Sequence, residues 1–417
     1  MNMNAKALTS IAAGPLLAFG LWISAYPAYA LTRGDPSAAP ASPSPFETRF
    51  AEKPGHAVLV VVDGLSYKVW EKMDLPVMKR MIAGGALVEK NYLPPAAHPH
   101  TGAYAEIHSC SIPNPIMMAG TVFITRATRY LQESFSGKPT AFVANTTSYI
   151  TLNAGYTYAY QKGGSDDDSI RMALQFMGEG KPAFMRVHLQ DTGGAGGQSM
   201  FQGAQADWRW NIWVPDSPYR KAVLHADSLL GVFVEGLERQ GVLDRTVIIV
   251  MGDHGQSDGG WHPLELIDPS ITSIVLWGAG VKKSIRIPYS EQIDVVPTVC
   301  ALMGVAPPKT CQGRVIAEAL SGYREEAPPR KTLIKDMIEQ FEQYRKKSVE
   351  AASMIERMNS PRRGELFSGL NGIRQSFYDI HRFVEWPRFE TVDELLENNR
   401  NTMKQLDDLL AEIGKIR

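Results

Sequence analysis

HAVLVVVDGL, residues 56–65, is a valine-rich apolar run that leads into an aspartate and a glycine, Asp63-Gly64. A strand with one wet face alternates apolar and polar residues, whereas a strand covered on both faces reads as continuous Val, Ile and Leu. His56–Val62 is of the second kind, as are TAFVA (Thr140–Ala144), AFMRVHL (183–189), TVIIVM (246–251) and SIVLW (273–277). Helical stretches read between them, at 69–83, 217–240 and 293–303. Strands alternating with helices predict an α/β fold, a mostly parallel sheet sandwiched by helices.

The texture changes on either side of this core. Residues 329–417 are rich in Glu, Lys, Arg, Met and Leu and read as amphipathic helices broken near Ser360-Pro361 and Trp386-Pro387. They form an expected C-terminal helical appendage, used for packing or for association into an oligomer, with no chemistry of its own. At the other end Lys6, an apolar stretch over 11–26 and Ala28-Tyr29-Ala30 have the order of a signal peptide, residues 1–30, cleaved after Ala30. That predicts a periplasmic or secreted protein. Residues 31–54, rich in Pro, Ser and Ala, follow as a flexible linker, and 55–328 are the expected catalytic domain.

Composition narrows the function classes. Over 417 residues, 43 Lys and Arg oppose 44 Asp and Glu, a formal charge of −1, and 44% of residues are hydrophobic. A mostly disordered chain and a protein gripping a nucleic acid duplex by phosphate attraction are excluded. Nothing beyond the leader is apolar enough to span a membrane. Three cysteines are too few for a disulfide scaffold; Cys300 and Cys311 are placed to pair, which would leave Cys110 alone. Asp166-Asp167-Asp168 reads as a solvated loop rather than a metal site.

Three strands run into aspartates: Asp63-Gly64 after Val62, Asp191 after Leu189-Gln190, and Asp253-His254 after Gly252. In an open parallel sheet the carboxyl ends of the strands form the edge where ligands bind, so the three carboxylates are expected to converge there. His254 and His262 share the glycine-rich segment GDHGQSDGGWH, 252–262. Oxygen and imidazole donors suit Zn²⁺ or Mn²⁺, one ion or two. A nucleophile is expected in PPAAHPHTGAYAEIHSCSIP, 94–113, where Thr101 opens a helical stretch and Ser109, Cys110 and Ser111 are rivals. Tyr92, Trp208, Trp210, Trp213 and Tyr219 are candidates to line an apolar pocket, with core packing as their other use.

Four blocks, VVVDGL, HTGAYAEIHSCSIP, LQDTGGAG and GDHGQSDGGWH, occur in this order and are followed by SIVLWGAGVKK and EQIDVVPTVCALMGV. With them the chain resembles the alkaline phosphatase superfamily over about residues 55–310, in particular its type I phosphodiesterase/nucleotide pyrophosphatase and ethanolamine-phosphate transferase branch, with sulfatases more distant. The resemblance implies a first ion held by Asp63, Thr101, Asp253 and His254, with Thr101 as the nucleophile that becomes phosphorylated. It implies a second ion held by Asp191 and His262, but the family's further histidine falls on Ala195, with His98, His100, His188 and Gln198 as substitutes. Gly120-Thr121 also stands where relatives often carry an asparagine. Sulfatases modify a Cys or Ser two residues before Pro, with Arg shortly after; Cys110 is three before Pro113, and Ser111 is followed by Asn114-Pro115 instead. The expected activity is hydrolysis or transfer of a small-molecule phosphate ester; a sulfatase-like or catalytically degenerate member is the alternative.

Overall fold

The computed structural model describes residues 45–93, 99–110, 130–148, 150–263, 266–309, 311–323 and 333–416. Residues 1–30, read as a leader, most of the stretch read as linker, His98, Ser111 and Gly120-Thr121 lie outside these residues, as does the side chain of Thr101.

In chain order the strands are β1 (His56–Val62), β2 (Ala86–Tyr92), β3 (Thr140–Ala144), β4 (Tyr158–Gln161), β5 (Phe184–Leu189), β6 (Thr246–Gly252), β7 (Ile271–Gly278), β8 (Ile285–Ile287) and β9 (Ser290–Glu291). The helices are α1 (Val69–Lys72), α2 (Pro76–Ala83), α3 (Pro99–Ser109), α4 (Asp166–Gly180), α5 (Asp191–Phe201), α6 (Pro218–Arg239), α7 (Val295–Met303), α8 (Leu333–Glu356), α9 (Arg363–Ser376) and α10 (Val392–Ile416). One sheet runs β4-β3-β5-β1-β6-β7-β2-β8, with β9 also on β2. The half from β4 to β6 is parallel; β7 lies antiparallel to both β6 and β2. This is a mixed, mostly parallel sheet between helix layers, the alkaline phosphatase-like architecture.

β1 shows why the apolar run forms a central strand. Val58, Val60 and Val62 enter the core built with α2, α4 and α6, whereas Ala57, Leu59 and Val61 enter the one built with α3 and α7. Both faces are dry, and each fully buried valine stabilises the fold by roughly 1.5 to 3 kcal/mol.

Three local readings are corrected. The helix read over 69–83 is two helices, because Pro76 starts a new one and holds Leu75 out of helical geometry at φ −119°, ψ 84°. Asp166-Asp167-Asp168 opens α4 rather than forming a solvated loop: Ser165 and Asp168 make a capping box and Asp166 is fully buried. Cys311 bonds to Cys110, not Cys300, which is free and buried; α3 delivers Cys110 to the 311 loop, a proximity no sequence spacing reveals.

Phe46 and Phe50, within the stretch read as linker, lie against Trp277 at ring-centroid distances of 5.4 and 4.8 Å. The C-terminal helices share a core of their own, with Tyr344, Leu366, Leu370 and Leu406 in it. Ile338 of α8 instead packs with Tyr92, Ile271, Tyr289 and Ile293, which ties the helices to the sheet. Among the described residues no helix is long and apolar enough to cross a membrane.

Candidate metal centre

Two of the strand-end aspartates meet. β1 and β6 are parallel neighbours in register, Val62 beside Gly252, so Asp63 and Asp253 leave the sheet edge side by side. The Gly64 amide donates to Asp253 Oδ1 at 2.9 Å and closes the two turns on each other. Tyr219, fully buried, donates to the Gly64 carbonyl and accepts from the Ser66 amide, both at 2.9 Å, so it braces the Asp63 turn.

Imidazoles surround the carboxylates. His100 Nε2 lies 3.2 Å from Asp63 Oδ2 and 3.5 Å from Asp253 Oδ2. His254 Nε2 lies 3.7 Å from Asp63 Oδ1, and the His262 ring is 4.7 Å from that of His254 and 5.2 Å from that of His100. Asp63, His100, Asp253 and His254 form one buried donor group, and His100, His254 and His262 another, each with its donor atoms within 4.8 Å of one another.

The surrounding residues fix these donors. Gln190 donates to Asp63 Oδ2 at 2.8 Å, and Tyr104 donates to Asp253 Oδ2 at 2.8 Å. Gln292 holds the Asp253 carbonyl at 3.0 Å and is itself held by Asn91 at 3.1 Å. His254 Nδ1 is 2.7 Å from the Gly255 carbonyl, which can only accept, so the proton sits on Nδ1 and Nε2 offers a lone pair to the cluster. Below Tyr104, Arg186 is fully buried, its guanidinium 5.0 Å from the Tyr104 ring and 5.1 Å from that of Phe142.

Burial opposes charge on Asp63, but His100, His188 and His254 overcome it and hold the carboxyl well below its ordinary range. His100 is the complement: burial pushes its pKa down, and Asp63 and Asp253 together carry it above the ordinary value. Among the described residues no Lys or Arg forms an ion pair with Asp63 or Asp253. Two buried carboxylates and three imidazoles with no other cation are the donor chemistry that a divalent ion such as Zn²⁺ or Mn²⁺ satisfies.

Asp191 is in neither donor group. It starts α5, where its carboxylate accepts from Asn145 and from the Asp166 amide at 3.2 Å each. The first turn of α5 still approaches the centre closely: a Cβ on Gly193 would overlap the Asp63 carboxylate, and one on Gly196 would overlap the Gln256 amide. The glycines of LQDTGGAG are the space into which Asp63 and Gln256 fit. Thr101 is in the first turn of α3, directly after His100.

Of the residues read for a first ion, Asp63, Asp253 and His254 come together; His262, read with Asp191 for a second ion, joins them, as does His100, held only as a substitute at that second ion. Tyr104 was missed, although it lies four residues after His100 on one helix face, the two rings stacked at 6.0 Å. His188, another substitute, lies 3.7 Å from Asp63 Oδ2. Of the aromatic candidates, Tyr219 braces the Asp63 turn, Trp213 donates to Asp258 at 2.7 Å, and Trp210 is largely exposed.

The Sulfatase family model matches residues 120–305. A crystal structure of an alkaline phosphatase superfamily protein from Vibrio parahaemolyticus superposes with a TM-score of 0.51 at 16% identity, covering 66% of this chain and 72% of that one. The chain thus carries a Sulfatase-like segment and shares its fold with a member of the alkaline phosphatase superfamily. It is 32% identical over 110 residues to the multifunctional alkaline phosphatase superfamily protein PehA of Trinickia caryophylli, and 29% identical over 122 residues to GPI ethanolamine phosphate transferase 2 of Debaryomyces hansenii. These matches span a quarter of this chain in each case, and 21% and 14% of the relatives' lengths. Within the Sulfatase match lie Asp191, Asp253, His254 and His262, while Asp63, His100 and Thr101 precede it.

Proposed function

We propose that the chain is an exported, metal-dependent phosphoesterase that works through a phospho-threonine intermediate. The observation that carries the reading is the buried cluster of Asp63, His100, Asp253, His254 and His262 at the sheet edge, with Thr101 one residue from His100. A divalent ion held there supplies a Lewis acid beside the nucleophile and offsets charge that builds on the transferred group. One ion is assigned to this cluster; Ala195 and the engagement of Asp191 by Asn145 and Asp166 speak against a full second site.

In this reading Thr101 Oγ attacks phosphorus as the bond to the leaving oxygen breaks, and water or an acceptor alcohol then displaces threonine. Gln190 and Tyr104 hold the Asp63 and Asp253 carboxylates in place, so little rearrangement accompanies the reaction. The Cys110–Cys311 disulfide supports export, since such bonds persist in oxidising compartments, and it removes Cys110 from the rivals for nucleophile.

The test is hydrolysis of a nitrophenyl phosphate monoester, a diester and a sulfate ester by zinc-supplemented protein beside Thr101→Ala. Turnover of a phosphate ester that vanishes in the variant is expected. Preferential turnover of the sulfate ester, or undiminished turnover by Thr101→Ala, contradicts the reading. Ala195 favours a second reading, a member that binds esters without cleaving them; ion binding with no turnover of any of the three esters would select it.

A further inference from the structure

A cavity of about 480 Å³ opens beside His262, between residues 262–263 and 266–270 on one side and the C-terminal helices on the other. Its size falls within the ~300 to 1,000 Å³ of small-molecule sites. One end is His262, a member of the metal-ligating cluster; the far wall is α8, α9 and the segment that follows, so the helical appendage closes a pocket on the candidate centre.

The lining is mainly apolar, with Ile267, Ile338, Phe341 and Phe377 contributing to it. Its charges are unequal in their commitments. Glu342 pairs with Lys346 at 2.8 Å, Asp379 accepts from the His381 amide at 3.0 Å, and Arg382 pairs with Glu385 at 2.7 Å. Arg345, by contrast, forms no ion pair among the described residues, and Arg374 makes a single hydrogen bond, Nε to Ser348 Oγ at 3.1 Å. Two guanidinium groups without carboxylates at an apolar cavity leave a place for an anion attached to an apolar body.

We propose that this cavity receives the organic part of the ester, and that the substrate is a phosphate ester whose apolar group carries a second negative charge. The proposal rests on the phosphoesterase reading of the adjacent cluster. Arg345 and Arg374 bind the remote anion, the aromatic wall takes the apolar body, and the phosphorus is thereby directed toward His262 and the centre. The C-terminal helices then determine specificity, whereas the sequence had suggested no chemistry in them.

The experiment compares 4-nitrophenyl 4-carboxyphenyl phosphate with 4-nitrophenyl phenyl phosphate, which differ only in the remote carboxylate. Turnover is measured on zinc-loaded protein, and binding by calorimetry. The expected result is at least a tenfold preference in kcat/KM for the carboxylated ester, carried by KM, and a matching preference in affinity. Arg345→Ala with Arg374→Ala brings both ratios close to one; both side chains are exposed, so the fold tolerates the change. Equal handling of the two esters by the unmodified protein, or a preference that survives the double substitution, overturns the proposal. If neither ester is hydrolysed but the carboxylated one binds better and loses that advantage in the double variant, the cavity assignment stands and the phosphoesterase reading falls.

Discussion

His254 Nε2 and His100 Nε2 face each other at 2.9 Å. With the His254 proton committed to the Gly255 carbonyl, His254 presents a lone pair, and Asp63 stands beside both rings. One residue from helix α3 and two from sheet-edge loops, 37 and 154 positions from His100 in the chain, thus converge on one small volume.

Tyr104 tests how firmly that volume is fixed. Tyr104→Phe removes the hydroxyl that donates to Asp253 Oδ2 and leaves the buried ring in place. Loss of an outer hydrogen bond to a metal-ligating carboxylate is expected to weaken zinc affinity about 10- to 100-fold, measured by competition with a chelator. Unchanged affinity would remove Tyr104 from the support of the centre.

Two adjacent glycines in α5 predict opposite outcomes. Gly193→Ala drives a methyl group into the Asp63 carboxylate, so metal binding and turnover are expected to fall sharply. Gly194 has nothing within 4 Å of the same added atom, so Gly194→Ala should raise stability by roughly 0.5 to 1 kcal/mol through helix propensity. Thermal melts and zinc titrations of the two variants separate these effects.

Asp166 carries a pH signature. Burial and the neighbouring Asp191 push its carboxyl up to about 8. In the unfolded chain it ionises near the ordinary aspartate value of about 4. The folded state therefore holds an extra proton between about pH 4 and 8, and stability from this group, full below that window, declines as pH rises through it. Asp166→Asn cannot ionise, so its melting temperature relative to the unmodified protein should climb from pH 5 to pH 9. A difference that stays flat contradicts the shift.

The disulfide gives a prediction on stability. Cys110 and Cys311 are 201 residues apart, and holding so long a loop closed in the unfolded chain stabilises the fold by about 5 kcal/mol in the chain-entropy account. Cys110→Ser, Cys311→Ser and the double variant should melt alike and well below the unmodified protein, while Cys300→Ala should lower the melting temperature far less. Full stability of Cys311→Ser would show that the bond is not formed.

These results also mark what was legible in the sequence. Central strands declare themselves by continuous apolar runs, and the aspartates that end β1 and β6 declare the sheet edge. β2 does not, because Glu89 and Lys90 interrupt its apolar residues where the pairing with β7 shifts register. The Cys110 partner and the place of His100 depend on where α3 packs, which local pattern does not encode. Asp166 looked solvated because it opens a run of three acids; its burial follows from α4 lying against β3 and β5, near Asn145. The cavity at the C-terminal helices was illegible for the same reason, its two walls lying about 70 to 120 residues apart in sequence.

The most direct test is to count metal. Protein stripped with chelator, reloaded with zinc and freed of excess ion should hold one equivalent by elemental analysis, and Asp63→Asn or Asp253→Asn should hold much less. No retained ion in the folded, unmodified protein, or two tightly held equivalents, would contradict a single centre built on Asp63, His100, Asp253, His254 and His262.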